Sequence, residues 1–213
     1  MTVATKIPVT LEERLEHGED FRISASWEEF LDLLETCEYR IEYDRGEIIS
    51  FMGYATELHE KLVAQIIRLL GNILNEDDFS VYGSNLAIHH PDIDKKYINA
   101  DAAVIKGLSE KVALRGSMKA VTNPILIVEV LSFSTRSDDL DRKLRLYRNM
   151  PSVQQIIFIE SSEMLVTSHT RYNGNGEWLL KDLTKEEDEL NVLKEGSFTL
   201  GELYRKVDFG DTP

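Results

Sequence analysis

The spacing of apolar residues separates helical segments from segments that alternate or run apolar like strands. Leucine and isoleucine recur at three- and four-residue steps over residues 56–74, which predicts the longest helix. Ser26 and Glu29 form a capping-box pattern, which predicts a helix that ends near residue 35. Two further helices are predicted over residues 137–150 and 199–207.

Strand patterns fill the intervals between these helices. The turn at residues 44–46 predicts a hairpin of strands 39–43 and 47–52. Further strands are predicted over residues 79–82, 85–88, 100–105, 125–129, 155–159, 165–172 and 177–183. Residues 106–123 are interpreted as a polar connection, and 185–189 as a solvated acidic turn. This order predicts an α/β fold with a mixed β-sheet flanked by helices.

Composition and length indicate one soluble domain. The chain has 213 residues, of which 42% are hydrophobic and 29% charged, and no Pro/Gly/Ser-rich linker divides it. We therefore expect a single domain over residues 1–213, with a core at about 25–172 and C-terminal strands and a short helix at 173–207. No apolar run resembles a signal peptide or a membrane span, so a cytoplasmic protein without membrane contact is expected. Cys37 is the only cysteine, which excludes an intrachain disulfide.

Charge restricts the choice of partner. The net charge of −14 and the isoelectric point near 4.8 argue against loose, non-specific attraction to nucleic acid. A DNA-binding function would therefore need a localised site with its own positive groups or metal ions.

Glu129 is the most informative position in the chain. It ends the apolar run Ile125–Val128, where an ionised carboxylate without a partner would be very costly. The pattern leaves two partners open. One is a divalent cation shared with Asp101, which begins another apolar run, and the other is Lys143 on the following helix.

Two carboxylates at the ends of neighbouring strands favour hard cations. Asp101 and Glu129 would suit Mg²⁺ or Mn²⁺, with the carbonyl of Val130 as a third ligand. Such an ion would polarise a phosphoryl oxygen and acidify a water molecule. The alternative is that both acids accept backbone hydrogen bonds or pair with an arginine.

Lys143 also has two interpretations. It follows Asp139 by four residues, which fits an exposed helical salt bridge. It also borders the apolar face of its helix, from which its amine could reach Glu129 and assist the attacking water or the developing phosphoryl charge.

The segment 126–135, followed by Asp139, Lys143 and Tyr147, resembles the signature of the Uma-type endonucleases of the PD-(D/E)XK superfamily. The residues Gly46-Glu47-Ile48-Ile49, then His59 and Asp101, fit the same pattern in order over residues 25–172. The prolines expected before the first motif acid and inside the Ser-x-Ser-Thr turn are replaced by Ala100 and Phe133.

The resemblance implies a restriction-endonuclease-like, Mg²⁺- or Mn²⁺-dependent nuclease core that acts on DNA. Asp101 and Glu129 would be the two motif acids, and Lys143 would replace the usual motif lysine, because Leu131 occupies its position. Glu47 would add an acid near the metal, although it also fits an ordinary residue of a hairpin. His59 would be catalytic, although its helix position fits a partly buried structural histidine better.

Two functions follow from the sequence. The first is an endonuclease that hydrolyses DNA phosphodiester bonds with a metal-activated water, and a homodimer would ease the cutting of two strands. The alternative is a protein with the same fold but weak or no turnover, which would serve as a binding or dimerisation module. The acidic net charge favours the alternative, whereas the presence of Asp101, Glu129 and Lys143 together favours the enzyme.

Overall fold

In the computed structural model, residues 7–51, 56–132, 135–173 and 176–209 are described. The helices are α1 (Leu11–Leu15), α2 (Trp27–Thr36), α3 (Glu57–Ile73), α4 (Arg136–Asp138), α5 (Leu144–Asn149) and α6 (Leu200–Leu203). The strands are β1 (Asp20–Ser24), β2 (Glu42–Asp44), β3 (Glu47–Phe51), β4 (Phe79–Gly83), β5 (Ala102–Lys106), β6 (Lys111–Arg115), β7 (Met118–Val121), β8 (Pro124–Leu131), β9 (Gln155–Glu160), β10 (Val166–Tyr172), β11 (Glu177–Leu183), β12 (Glu189–Val192) and β13 (Gly196–Thr199).

A six-stranded sheet with the order β11-β10-β9-β8-β5-β4 organises the fold. Strands β8 and β9 run parallel, and the other neighbouring pairs are antiparallel. The connection from β8 to β9 is helical, as a parallel pair requires a crossover. The fold is therefore mixed α/β, as the sequence pattern predicts.

The two faces of this sheet are covered by different helices. In β8 the side chains of Val128 and Val130 point to the face that packs against α3 and α6, whereas Ile127 and Leu131 point to the opposite face with α5. Because strand side chains alternate, Glu129 shares the α5 face with Ile127. Asp101 lies immediately before β5, and its carboxylate contacts His59 of α3.

A smaller three-stranded sheet with the order β1-β3-β2 lies beside this arrangement and packs with α2. Tyr43 in β2 exchanges two backbone hydrogen bonds with Tyr97, at 2.8 and 3.1 Å. This bridge ties β2 to the segment that leads into Asp101, and it brings Glu42 close to the central sheet.

Most predicted elements are confirmed, and several boundaries are wrong. Ser26 and Glu29 cap α2 reciprocally, and α3 follows the long apolar stripe. Residues 106–123 contain the hairpin of β6 and β7 rather than a simple connection, because cross-strand pairing needs no strong apolar pattern. Residues 85–88 form no strand, and Ile88 makes only isolated bridges. The first predicted hairpin strand is confined to β2, and Met52 lies outside the described residues.

The chain ends also carry elements that the apolar pattern does not indicate. The segments α1 and β1 precede α2, and the hairpin of β12 and β13 follows the acidic turn. The last helix is shorter than predicted and ends at Leu203. Among the described residues, none of the helices combines the length and apolar character that a transmembrane span requires.

Candidate active site

Asp101 and Glu129 meet where β5 begins and β8 approaches its end. The Asp101 N–H donates to the Val128 carbonyl at 3.1 Å, and the Val130 N–H donates to Asp101 Oδ2 at 2.9 Å. Asp101 is thus bonded to the residues on both sides of Glu129. Both carboxylates are buried, at 7% and 2% exposure.

Lys143 enters the site from a π-helical turn, Asp139–Lys143, between α4 and α5. A π-helical turn is wider than an α-helical one, and such turns occur frequently at functional sites. Here the turn places the carboxylate of Asp139 and the amine of Lys143 on the sheet side, where both are buried. The predicted salt bridge between them is present at 3.2 Å, but it lies in the interior rather than on the surface.

The Lys143 amine is the centre of the charge cluster. It lies 3.2 Å from Glu129 Oε1 and 3.3 Å from Glu42 Oε1, and it donates to the Asn99 carbonyl at 3.1 Å. Burial by itself lowers the pKa of this amine, but the charges of Asp139, Glu129 and Glu42 raise it well above its ordinary value. The amine therefore stays protonated at neutral pH.

Tyr147 completes the environment of Glu129. Its hydroxyl donates to Glu129 Oε1 at 2.5 Å, and the residue lies one helical turn beyond Lys143. Burial, followed by the repulsion from Glu129, raises the Tyr147 pKa well above its ordinary value, so the phenol keeps its proton. Burial also raises the pKa of Glu129 well above its ordinary value, and the charges of Asp139 and Asp101 add to this effect against the attraction of Lys143.

Asp101 has a different set of partners. Its Oδ2 lies 3.4 Å from His59 Nε2, and its Oδ1 lies 3.7 Å from Arg40 Nη1. Burial alone would raise the Asp101 pKa, but the hydrogen bond and charge of His59 bring it below its ordinary value. Conversely, burial alone would lower the His59 pKa, and the contact with Asp101 raises it. Asp101 is therefore ionised at neutral pH.

Glu42 is a site residue that the sequence interpretation missed. It is buried, contacts Lys143 and Arg142, and accepts the Asn99 N–H at 3.2 Å. Burial would raise its pKa, but the charges of Lys143 and Arg142 lower it to about 2. The local sequence gives no signal for it, because residues 39–44 alternate between apolar and charged types and Glu42 stands at one of the charged positions.

Glu47 occupies another place in the same hairpin. It begins β3, pairs through its backbone with Ser24 and Asp44, and is partly exposed. Within the described residues, no hydrogen bond or ion pair joins its side chain to the cluster around Lys143. The structure thus brings together Asp101, Glu129, Lys143 and His59 but does not connect Glu47 to them.

The donor set fits a divalent cation that keeps part of its water shell. Lys143 and Tyr147 both contact Oε1 of Glu129, and among the described residues Oε2 has no hydrogen bond. Asp101 Oδ1 likewise has only the long contact with Arg40. In the described segments, no group of three or more His, Cys, Asp or Glu side chains is placed to hold a metal ion, so an ion here would depend on two carboxylates. Two carboxylate oxygens with open positions suit Mg²⁺ or Mn²⁺, which retain water or take phosphate ligands.

The fold has a counterpart among solved structures. A crystal structure of a putative nuclease from Anabaena variabilis superimposes with a TM-score of 0.62 and covers 85% of this chain and 97% of its own. The sequence identity is 16%, so this similarity concerns the fold alone. The mixed sheet with flanking helices is thus the architecture of that protein.

The family follows from the sequence comparison. The Uma2 family, described as "Putative restriction endonuclease", matches residues 27–200, and the chain belongs to this family. Two uncharacterized proteins of Synechocystis are also similar. The protein sll1609 is 31% identical, with 76% of this chain and 89% of its own length covered, and slr1290 is 29% identical, with 85% and 92% covered.

Proposed function

We propose that this protein is a Mg²⁺- or Mn²⁺-dependent endonuclease that hydrolyses DNA phosphodiester bonds. The observation that carries the proposal is the buried group of Asp101, Glu129 and Lys143, which come from three separate elements and meet at one end of the sheet. Membership of the family described as "Putative restriction endonuclease" supports the same reaction class.

Asp101 and Glu129 are the residues that would hold the cation, with the Val130 carbonyl as a further oxygen donor. When bound there, a divalent ion supplies Lewis acidity to a phosphoryl oxygen and lowers the pKa of a water molecule. Asp101 is held ionised by His59, so one negative charge is present before any cation arrives. The His59 contact also orients the Asp101 carboxylate.

Lys143 contributes a fixed positive charge. Its amine is protonated and held by contacts to Glu129, Asp139 and Glu42, so it does not need to reorganise when negative charge develops on a phosphoryl group. The Tyr147 hydroxyl donates to Glu129 and limits the rotation of that carboxylate. These contacts pre-organise the acid that would bind the ion.

Arg40 offers a route for the substrate. Its side chain is 40% exposed while its guanidinium lies 3.7 Å from Asp101 Oδ1. A surface opening of about 340 Å³ has Arg40 and Asn99 in its wall. A DNA phosphate entering there would meet a cation beside the acids, which compensates locally for the net charge of −14.

A plasmid-nicking assay tests the proposal. Supercoiled DNA should be nicked with Mg²⁺ or Mn²⁺ and not with EDTA, and Glu129→Gln and Lys143→Met should abolish nicking. The matched controls are Glu76→Gln and Lys119→Met, because both side chains are exposed. Circular dichroism should show that each variant is folded. Equal nicking by wild type and Glu129→Gln would indicate a contaminating nuclease and overturn the proposal.

The net charge of −14 favours a second candidate, a protein that keeps the fold without useful turnover and acts as a binding or dimerisation module. In that case the Lys143 contacts to Glu129, Asp139 and Glu42 would serve only to neutralise buried acids. Titration calorimetry separates the two functions. Heat of Mn²⁺ binding that disappears in Asp101→Asn supports the nuclease, and no binding by the wild type supports the module.

A further inference from the structure

The outer edge of the large sheet, strand β11, exposes apolar side chains on both of its faces. Leu179 and Leu180 are 54% and 57% exposed, and consecutive residues of a strand point to opposite faces. Trp178 beside them is only partly buried. An edge strand of this kind carries a high risk of uncontrolled association unless a partner covers it.

The opposite edge of the sheet is different. Strand β4 has a buried phenylalanine at position 79, and Val81 and Tyr82 are partly buried. Lys106 also covers the ring of Phe79 at 5.0 Å. Exposed apolar side chains on the sheet edges are thus concentrated on β11.

Every second residue of β11 has its backbone N–H and C=O groups on the open edge of the sheet. In β10, the Arg171 N–H donates to Gln154 and the Leu165 carbonyl accepts from Glu160, so odd-numbered residues of that strand face β9. The even-numbered residues of β10 therefore face β11, where they pair with odd-numbered residues such as Leu179. It follows that Trp178, Leu180 and Asp182 direct their N–H and C=O groups away from the sheet.

We propose that β11 pairs antiparallel with β11 of a second copy of this chain, in a register centred on Leu179. This register places Trp178 opposite Leu180 of the second copy, and both residues have outward-facing backbone groups that can form hydrogen bonds. It also places Glu177 of each copy opposite Lys181 of the other, so that two such pairs form. Leu179 of one copy lies opposite Leu179 of the other. Each apolar side chain thus faces an apolar side chain, and each charged side chain faces one of opposite charge.

The register centred one residue later is less favourable. With Leu180 at the symmetry axis, Trp178 would lie opposite Asp182 of the second copy, and Leu179 would lie opposite Lys181. The Asp182 carboxylate and the Lys181 amine would then lose contact with water and would have no group of opposite charge facing them. In the monomer, the Lys181 amine makes a long hydrogen bond of 3.4 Å to the Glu189 carbonyl, which leaves it able to pair with a carboxylate.

Sedimentation velocity over a range of concentrations tests the surface. The wild type should be a dimer that dissociates on dilution, and Leu179→Lys should raise the dissociation constant about tenfold or more, because two like charges would meet at the axis. The matched control is Leu108→Lys, since Leu108 is 91% exposed and lies outside β11. A monomeric wild type at every concentration, or a dimer insensitive to Leu179→Lys, would overturn the proposal.

Charge exchange tests the register. Glu177→Lys and Lys181→Glu should each weaken the dimer, whereas the double variant should restore it, because the pair is exchanged on both sides of the axis. Absence of rescue would overturn the Leu179-centred pairing. In a Cys37→Ser background, Leu179→Cys should form a disulfide-linked dimer under mild oxidation, and Leu180→Cys should not, because only position 179 lies opposite itself.

Discussion

The Lys143 amine lies 3.2 Å from Glu129 Oε1, and this contact joins the helical crossover to the strand end that carries the candidate metal ligand. Both side chains are buried, so neither charge is stabilised by bulk water. The pair therefore links fold stability to the proposed chemistry, because a change at either position affects both.

Replacement of Lys143 by methionine should destabilise the fold strongly. It removes the cation shared by Glu129, Asp139 and Glu42 and leaves buried carboxylates uncompensated, which costs about 3–5 kcal/mol. Urea denaturation at neutral pH measures the loss. The exposed control Lys119→Met should change the free energy of unfolding by no more than about 0.5 kcal/mol.

Adding Glu129→Gln to Lys143→Met should recover part of the lost stability, since it removes one of the uncompensated charges. If Lys143→Met had the same free energy of unfolding as Lys119→Met, the amine would not neutralise the acids as the structure indicates.

Acid should weaken the fold through Glu42. The Glu42 pKa is lowered to about 2 from the ordinary value of 4.5. A lowered pKa gives stability that is present above pH 4.5 and lost as the pH falls towards 2. The contribution is about 3 kcal/mol, and it should be measurable as a steep decrease in unfolding free energy between these pH values.

The comparison that isolates this effect is Glu42→Gln against Glu76→Gln. In Glu42→Gln the free energy of unfolding should fall less steeply between pH 4.5 and 2 than in the wild type. In the exposed Glu76→Gln it should fall as it does in the wild type. Identical acid limbs for wild type and Glu42→Gln would show that other groups control acid unfolding.

Divalent cations should stabilise the wild type. A ligand that binds only the folded state adds about 2.7 kcal/mol at 100 times its dissociation constant. Thermal denaturation with and without Mn²⁺ should therefore show a higher Tm for the wild type and no increase for Asp101→Asn. An equal increase in both proteins would place the ion elsewhere. This measurement does not depend on turnover.

Glu42 and Glu47 give a paired test of which hairpin acid serves the site. Glu42 contacts Lys143 and Arg142, whereas the side chain of Glu47 has no contact with this cluster among the described residues. Glu42→Gln should lower the nicking rate at least about tenfold by displacing the Lys143 amine, and Glu47→Gln should change it little. A larger loss in Glu47→Gln would restore the role that the family resemblance implies for Glu47.

Local patterns were sufficient for the elements with a strong period. The apolar stripe of α3 and the capping box at Ser26 depend on neighbours within a few residues, and both are present. Glu129 was identified because a carboxylate in an apolar strand requires a partner. Of the two partners considered, Lys143 lies beside it in the fold. The other, a cation shared with Asp101, stays a prediction, although Asp101 is bonded to the neighbouring Val130.

Long-range packing decided the remaining features. Glu42 and Glu47 are five positions apart in one hairpin, and the backbone bridge between Tyr43 and Tyr97 selects which of them reaches Lys143. No local pattern encodes that bridge, because its two strand segments are distant in sequence. The π-helical turn at Lys143 is equally invisible in the spacing, since an α-helix and a π-turn share the same local composition.

The sequence by itself thus indicates the candidate site through residue types in unusual surroundings, above all an acid within an apolar strand. Whether the pair Asp139 and Lys143 forms a surface salt bridge or a buried charge cluster depends on what packs against the helix. Only the tertiary structure decides between these two arrangements, because the energy of a charge depends on all the groups around it and not only on its neighbours in sequence.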